Sequence, residues 1–539
     1  MKKKLYFLLL TFGVIFLSAC GNNFKTEFAV ESGAYEVGKD IPNSDYIITC
    51  EDTNYSMRVI VFESKNDYDN FQNSERGNTG QWRAAVEKNA LYDYYLSAND
   101  TGYLSLEKGY IMLIESGTGR INKFDAKNND IPELYRGIYF IDDDLQANPY
   151  SFSCEKAGSY YMHVIAFENK NDYINFHGTE QINSGQERAA IEQNALYDFY
   201  LMEGETGYLN LESGYVLLID NGNGTSNKID VQNNDTIELY NGVYFVDNDI
   251  EASQYLLTRN ESNSYMQVTV FENLDIYKTY YQTDQATLGE SRTATEQYAL
   301  YEYYLDAEES AYLDLASGYV VLIEGENGQL KEFDTQNDNI EMYSGVYFVG
   351  NGLKSDQYLL TCDEAGYSMQ VMIFENMDTY KNYHQTSRFT IGEENDAIEQ
   401  NALYDDYIYP EETCCLNLKE GYVLFIDGGK GTISKFDSQD NTTQLYSGIY
   451  FIGDDLDAAQ YSLTCIDSYM QVAVFENIDT YKAYHQASRF TVGEELDAVE
   501  QNTISNEYLY ADKTVDINLQ EGNILLIDGG MGELKMIRQ

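Results

Sequence analysis

Glu238-Leu239-Tyr240-Asn241-Gly242-Val243-Tyr244-Phe245-Val246 carries the reading of the fold. Its aromatic and β-branched side chains, stopped by Asp247 and Asn248, predict a strand. A little further on, Met266, Val268 and Val270 alternate with Gln267 and Thr269. That two-residue period predicts a strand with one buried face. The phrase at 242–247 recurs at 33–38, 137–142, 345–350 and 448–453, so successive copies begin 104, 105, 103 and 103 residues apart. A period of about a hundred residues predicts tandem domains and excludes a short-repeat solenoid.

Aligning the copies predicts what each contains. A capping residue (Ser64, Asn169, Asn273, Asn376 or Asn477) precedes aromatics three apart, such as Tyr173 and Phe176, the pattern of a short helix lying on a sheet. A variable polar loop follows, then an aromatic stretch at 194–201. A strand pair at 208–211 and 215–220 surrounds a turn at Gly214, aligned with Gly109, Gly318, Gly421 and Gly522, and a last strand lies near 229–231. Seven or eight short strands with little helix predict an all-β chain of five tandem antiparallel β-sandwich or jelly-roll-like modules, each with one short helix. Helical bundles and parallel α/β folds are excluded. The expected modules are 26–126, 127–231, 232–335, 336–438 and 439–539, each large enough to bury its own core. The joints hold no Pro/Gly/Ser-rich linker, which restricts swinging and predicts an extended rod.

The N-terminus reads as a signal. Lys2, Lys3 and Lys4 precede an uncharged apolar run from 5 to 17, too short to span a bilayer permanently, and Leu17-Ser18-Ala19-Cys20 follows. This tetrapeptide resembles the lipobox of bacterial lipoproteins. The resemblance implies a signal peptide at 1–19, lipidation of Cys20, and a lipid-anchored segment at 20–25 on the outer side of a bacterial cell membrane. No later segment is long and apolar enough to cross a membrane as a helix, so anchoring rests on the lipid.

Gly33, Tyr35, Val37, Gly38, Asp40, Ile41, Pro42 and Tyr46, with Leu106, Gly109 and Tyr110, resemble surface-protein modules of Gram-positive bacteria that open on Gly-Tyr-Val-Gly-Asp-Ile-Pro. The resemblance covers the mature chain, although only the first module keeps Asp-Ile-Pro. It implies a surface protein of undefined activity.

With 89 acidic against 34 basic residues the chain carries a net charge of −55, and removal of the three signal lysines makes it −58. Such a polyanion is repelled by nucleic acid and anionic polymers and attracts cations. Cys50, Cys154, Cys362 and Cys465 share one aligned position, with Arg259 there in the third module, while Cys414-Cys415 replaces Gly207-Tyr208. One cysteine per module cannot bridge within a module, so buried thiols are expected and zinc spacing is lacking.

Catalysis should leave its working side chains in most copies. The four histidines (His163, His177, His384 and His485) do not recur in all, with Gln72 and Tyr281 in the column of the last three. This argues against nucleophilic triads. Two Glu columns do recur. Glu63, Glu168, Glu272, Glu375 and Glu476 precede the helix, where they are expected to meet its free N–H groups, and Glu87, Glu192, Glu296, Glu399 and Glu500 form the other. As an acid and base pair they would suit glycoside hydrolysis, but a structural role explains them more simply.

Asp142-Asp143-Asp144, and the acids Glu115, Asp220, Glu324, Asp427 and Asp528, are oxygen-rich runs that weakly bound calcium would favour. A β-turn with a solvated acid accounts for them as well, and no metal or cofactor residue is assigned. The 51 tyrosines could recognise a glycan or protein where they are exposed, which the sequence does not specify. The expectation is a non-catalytic lipid-anchored surface protein whose repeated modules serve adhesion, ligand capture or spacing. The alternative is an extracytoplasmic carbohydrate-active enzyme or solute-binding receptor, for which five equivalent units provide no single cleft between unlike lobes.

Overall fold

The computed structural model describes residues 27–52, 56–127, 132–156, 161–179, 184–229, 236–259, 265–283, 288–307, 309–335, 339–363, 368–386, 391–436, 442–487 and 492–537. Within the first repeat the elements are β1 (Glu27–Val30), β2 (Gly33–Glu36), β3 (Ser44–Cys50), β4 (Met57–Phe62), α1 (Lys65–Asn73), α2 (Thr79–Asn89), β5 (Tyr92–Leu96), β6 (Thr101–Leu106), β7 (Ile111–Ser116) and β8 (Gly119–Lys123). Two antiparallel four-stranded sheets, β1-β8-β3-β6 and β2-β7-β4-β5, enclose the core. Tyr46, Ile48 and Cys50 of one sheet, and Val59 and Val61 of the other, are fully buried in it. The protein is therefore a mostly β, multi-module sandwich with short helices.

The stretch at 238–246 divides between both sheets. Thr236–Leu239 pairs with Gly328–Glu332, and Asn241–Phe245 pairs with Val320–Gly325. The chain thus leaves one layer and enters the other at Tyr240, so a single apolar run serves two sheets. In the fourth and fifth repeats the same run is continuous, Asn339–Phe348 and Thr442–Phe451, with a register shift at the crossing.

Three expectations are corrected. Each repeat has two helices among the described residues, where one was expected. The second, Thr79–Asn89 in the first repeat, buries only Ala85 and Val86, too short an apolar stripe to stand out from a polar loop. The closing strand of the second repeat is Asn223–Lys228, one turn before the expected 229–231; residues 230 and 231 lie outside the described residues. Nor does each module close its own core, because one apolar cluster runs from Val30 and Tyr46 through Phe167 to Phe271 and Tyr277 of the third repeat.

The interior is continuous because the sheets are joined end to end. The β6-type edge of one repeat pairs in parallel with the opening strand of the next: Gly207 and Tyr208 with Asn241 and Gly242, Ala311 and Tyr312 with Ser344 and Gly345, Cys414 and Cys415 with Ser447 and Gly448. At the first junction Gly102 bridges to Arg136, and the Tyr103 N–H donates to the Arg136 carbonyl at 2.7 Å.

Candidate functional site

The recurring glycine of the opening phrase is an interface residue. A Cβ on Gly242 would lie 2.3 Å from the Tyr208 carbonyl oxygen, and one on Gly448 would lie 2.4 Å from that of Cys415, whereas on Gly33 the nearest atom is 4.0 Å away. Only glycine lets the two backbones approach. Over this contact the rings of Tyr103 and Tyr139, Tyr208 and Tyr244, and Tyr312 and Tyr347 stack at 4.0 to 4.1 Å. At the last junction Cys415 takes the place of the first ring, and burial beside Tyr450 pushes its thiol up.

The helix following each junction reaches back. The hydroxyls of Tyr173, Tyr277 and Tyr481 donate to the carbonyls of Leu91, Leu196 and Leu403 in the preceding repeat, at 2.8 to 3.0 Å. Lys170 binds Glu63, Lys278 binds Glu168 (2.7 Å), Lys381 binds Glu272 (2.5 Å) and Lys482 binds Glu375 (2.7 Å). The lysine comes from the first helical residue at the first junction and from a position one turn later at the other three, yet it finds the same glutamate column. The helix N-termini are satisfied instead by the side chains of Ser64, Asn169, Asn273, Asn376 and Asn477. The expected helix-capping role of the Glu63 column is corrected accordingly.

Of the Asp run, Asp144 caps its own turn by accepting from the Phe140 N–H (2.7 Å) and crosses the junction to accept from the Ser105 hydroxyl (2.9 Å). Asp249 repeats this with Phe245 and Asn210, and Asp455 with Phe451 and Asn417. In the fourth repeat the acid changes sides. Gly352 stands in the Asp144 column and Asp314 in the Ser105 column, and a Cβ on Gly352 would lie 2.8 Å from the Asp314 carboxylate. Burial raises Asp144 to about 7 and Asp249, Asp314 and Asp455 to about 6. Asp142 turns away to accept from the Ala147 N–H, and among the described residues no three His, Cys, Asp or Glu side chains converge as a metal would require.

A groove opens beside the first junction, and a homologous one beside the third. Between the first two repeats the cavity is about 360 Å³ and is charge-balanced. The Arg58 guanidinium is layered over Trp82 (3.5 Å) and Tyr95 (4.3 Å), donates to Asp93 (2.5 Å) and lies 4.0 Å from Glu115. Arg136 donates to the Tyr95 carbonyl (3.0 Å) and lies 3.5 Å from Asp220. In the second repeat His163 holds the Arg58 position, stacked on Tyr200 at 4.0 Å and bonded to Asp198 at 3.0 Å. Burial would lower its pKa, but Asp198 and Asp220 outweigh that and raise it to about 9. The later repeats have Gln267, Gln370 and Gln471 there.

The histidine column is also interfacial. His177 lies 3.7 Å from Asp93, His485 lies 2.9 Å from Asp405, and the Tyr281 hydroxyl donates to Asp198, each across a junction. Glu87, Glu192 and Glu296 accept from the arginine one turn earlier in their own helix, at 2.6 to 3.2 Å. The Glu63 column therefore works at the joints and the Glu87 column within the second helix. Cys50, Cys154, Cys362, Cys414, Cys415 and Cys465 are buried thiols, and Arg259 donates to the Leu305 carbonyl. Cys20 lies outside the described residues. Among the tyrosines, one aligned position is exposed in every repeat, Tyr95, Tyr200, Tyr304, Tyr407 and Tyr508, and Tyr95 and Tyr304 line the two grooves. The alternation of the β5-type strand could have shown this, since Tyr94 and Leu96 face inward on either side of Tyr95.

The two ends lack this chemistry. In the fifth repeat Ser505, Asn506, Glu507 and Asp516 stand where the first has Tyr92, Asp93, Tyr94 and Tyr103. In the first, Ala34, Glu36 and Gln72 stand where the second has Ile138, Phe140 and His177.

No protein-family description and no curated protein matches this chain. Among solved structures, a chain of the Sulfolobus turreted icosahedral virus is similar at 6% identity over 56% of this chain and 84% of that one, with a TM-score of 0.14. At that score the likeness carries no argument about fold or function. No helix among the described residues is long and apolar enough to cross a membrane.

Proposed function

We propose that this is a non-catalytic, lipid-anchored bacterial surface protein whose five modules form a stiff spacer that carries adhesive or ligand-capturing grooves away from the membrane. The observation that carries the reading is the junction. Parallel strand pairing, a close-approach glycine, and lysine and tyrosine contacts reaching back recur at successive joints. Each joint uses unlike faces of the two partners, so the arrangement adds units head to tail instead of closing on itself. A hinged array would need none of these contacts. Their repetition supports rigidity as the selected property, and the homologous grooves at the first and third junctions support multivalent capture.

Small-angle scattering of the protein from residue 21 onward tests this. Five modules of about 30 to 35 Å in line predict a maximum dimension of about 150 Å or more. A compact particle of about 70 Å would reject the spacer on the same size scaling.

A further inference from the structure

The groove between the third and fourth repeats is the homologue of the charge-balanced groove between the first two, with the counterparts of Arg83 and His177 kept as Arg292 and His384 and those of Arg58 and Arg136 replaced by neutral residues. Tyr304, Glu302 and Asp427 line it where Tyr95, Asp93 and Asp220 line the first. Ser344 replaces Arg136, Gln267 replaces Arg58, and Ser291 replaces Trp82. The cavity is about 1190 Å³ against about 360 Å³, and it extends further, along Asp306, Asp363, Ser368 and Gly428. Seven carboxylates line it against Arg292, Lys430 and His384, and Lys430 is committed to Glu341 at 3.0 Å. In the first groove four carboxylates face three arginines and His177.

The first groove also displays what such a site accepts. Arg136 is held by a carboxylate on one side and the carbonyl of the edge-strand tyrosine on the other, and Arg58 is layered on aromatic rings. A planar cation between a carboxylate and an aromatic face gains both a charge-assisted hydrogen bond and a cation–π contact. We propose that the groove between the third and fourth repeats binds a guanidinium group from outside the chain, the arginine side chain of a basic peptide, in the place Arg136 fills in the first groove. The high negative charge of the whole molecule would draw such a peptide in from solution. The proposal goes beyond the spacer reading and does not depend on the lipid anchor.

The test is calorimetric titration of the purified protein, residue 21 onward, with tetra-arginine, tetra-citrulline and spermidine. Tetra-arginine is expected to bind with a stoichiometry near one and tetra-citrulline not at all. Ser344→Arg, which copies the first groove, is expected to weaken tetra-arginine at least tenfold, and Tyr304→Leu, at an exposed ring, severalfold. Ser344→Arg alters the net charge of the protein from residue 21 onward by one in 58, so it leaves diffuse attraction nearly unchanged. Undiminished binding by Ser344→Arg, or no binding by the native protein, overturns the site. Spermidine binding as tightly as tetra-arginine overturns the assignment to a guanidinium.

Discussion

The ring of Tyr208 lies on the ring of Tyr244 at 4.1 Å and 3° from parallel, although the two belong to consecutive modules. Beneath the stack, Gly242 passes against the Tyr208 carbonyl, so the aromatic contact and the missing side chain form one device.

Gly242→Ala should therefore cost about 1–3 kcal/mol, the usual penalty for overpacking a filled site. Gly33→Ala, at the aligned position where the nearest atom to the new Cβ is 4.0 Å away, should be close to neutral. Urea unfolding of both variants checks the contrast, and equal losses would mean that the glycine serves its own module's turn.

The Lys278 and Glu168 pair is about one-third exposed on each side, 32% and 30%. Such a pair should contribute about 0.5–1 kcal/mol in a double-mutant cycle. The coupling should shrink as salt is raised. Lys278→Met with Glu168→Gln, measured at low and high salt, gives both numbers.

Stability should fall as pH rises from 4 to 9. Burial raises Asp144 from 3.8 to about 7, and Asp249, Asp314 and Asp455 to about 6, so the folded chain retains protons that the unfolded chain releases. Their contribution is complete below about pH 4 and is lost as pH rises through 6 to 7. His163, held as a cation by Asp198 and Asp220 with a pKa of about 9, contributes fully below 6.5 and loses that contribution as pH rises through 9. Urea midpoints at pH 5, 7 and 9 should decline in order. Asp144→Asn should flatten the first part of the decline and His163→Gln the second.

A chain stopped after Phe436 would uncover Leu403 and Cys415, which the fifth module buries. Exposed apolar faces of this kind drive association. Sedimentation should show the truncated protein associating at concentrations where the full chain stays monomeric.

Cys20→Ser should release the protein from the membrane fraction into the medium, since one thioether-linked lipid group is the expected anchor. Fractionation of cells checks the outcome, and mass spectrometry of the native N-terminus would reveal the acyl chains directly.

Two residues show where sequence reading reached and where it stopped. The period, the strand at 266–271 and the buried cysteine column were legible because each depends on neighbours within a few residues or on simple recurrence. Glu63 was legible as a fixed position but not in its role. It precedes a helix, and local chemistry assigns it to that helix, whereas its partner Lys170 lies 107 residues away in the next module. Asp144 was likewise read as a surface turn because its burial depends on Ser105 from a different module.

An all-β chain of repeated sandwiches was readable from the residues alone, since two-residue alternation and a hundred-residue period are properties of the chain read along its length. That these units share strands, stacked rings and a continuous interior followed only from the packing of one against the next. A strand edge, a close glycine contact and a buried carboxylate are satisfied by whatever lies across the junction. That neighbour is fixed by packing, not by the residues on either side in the sequence.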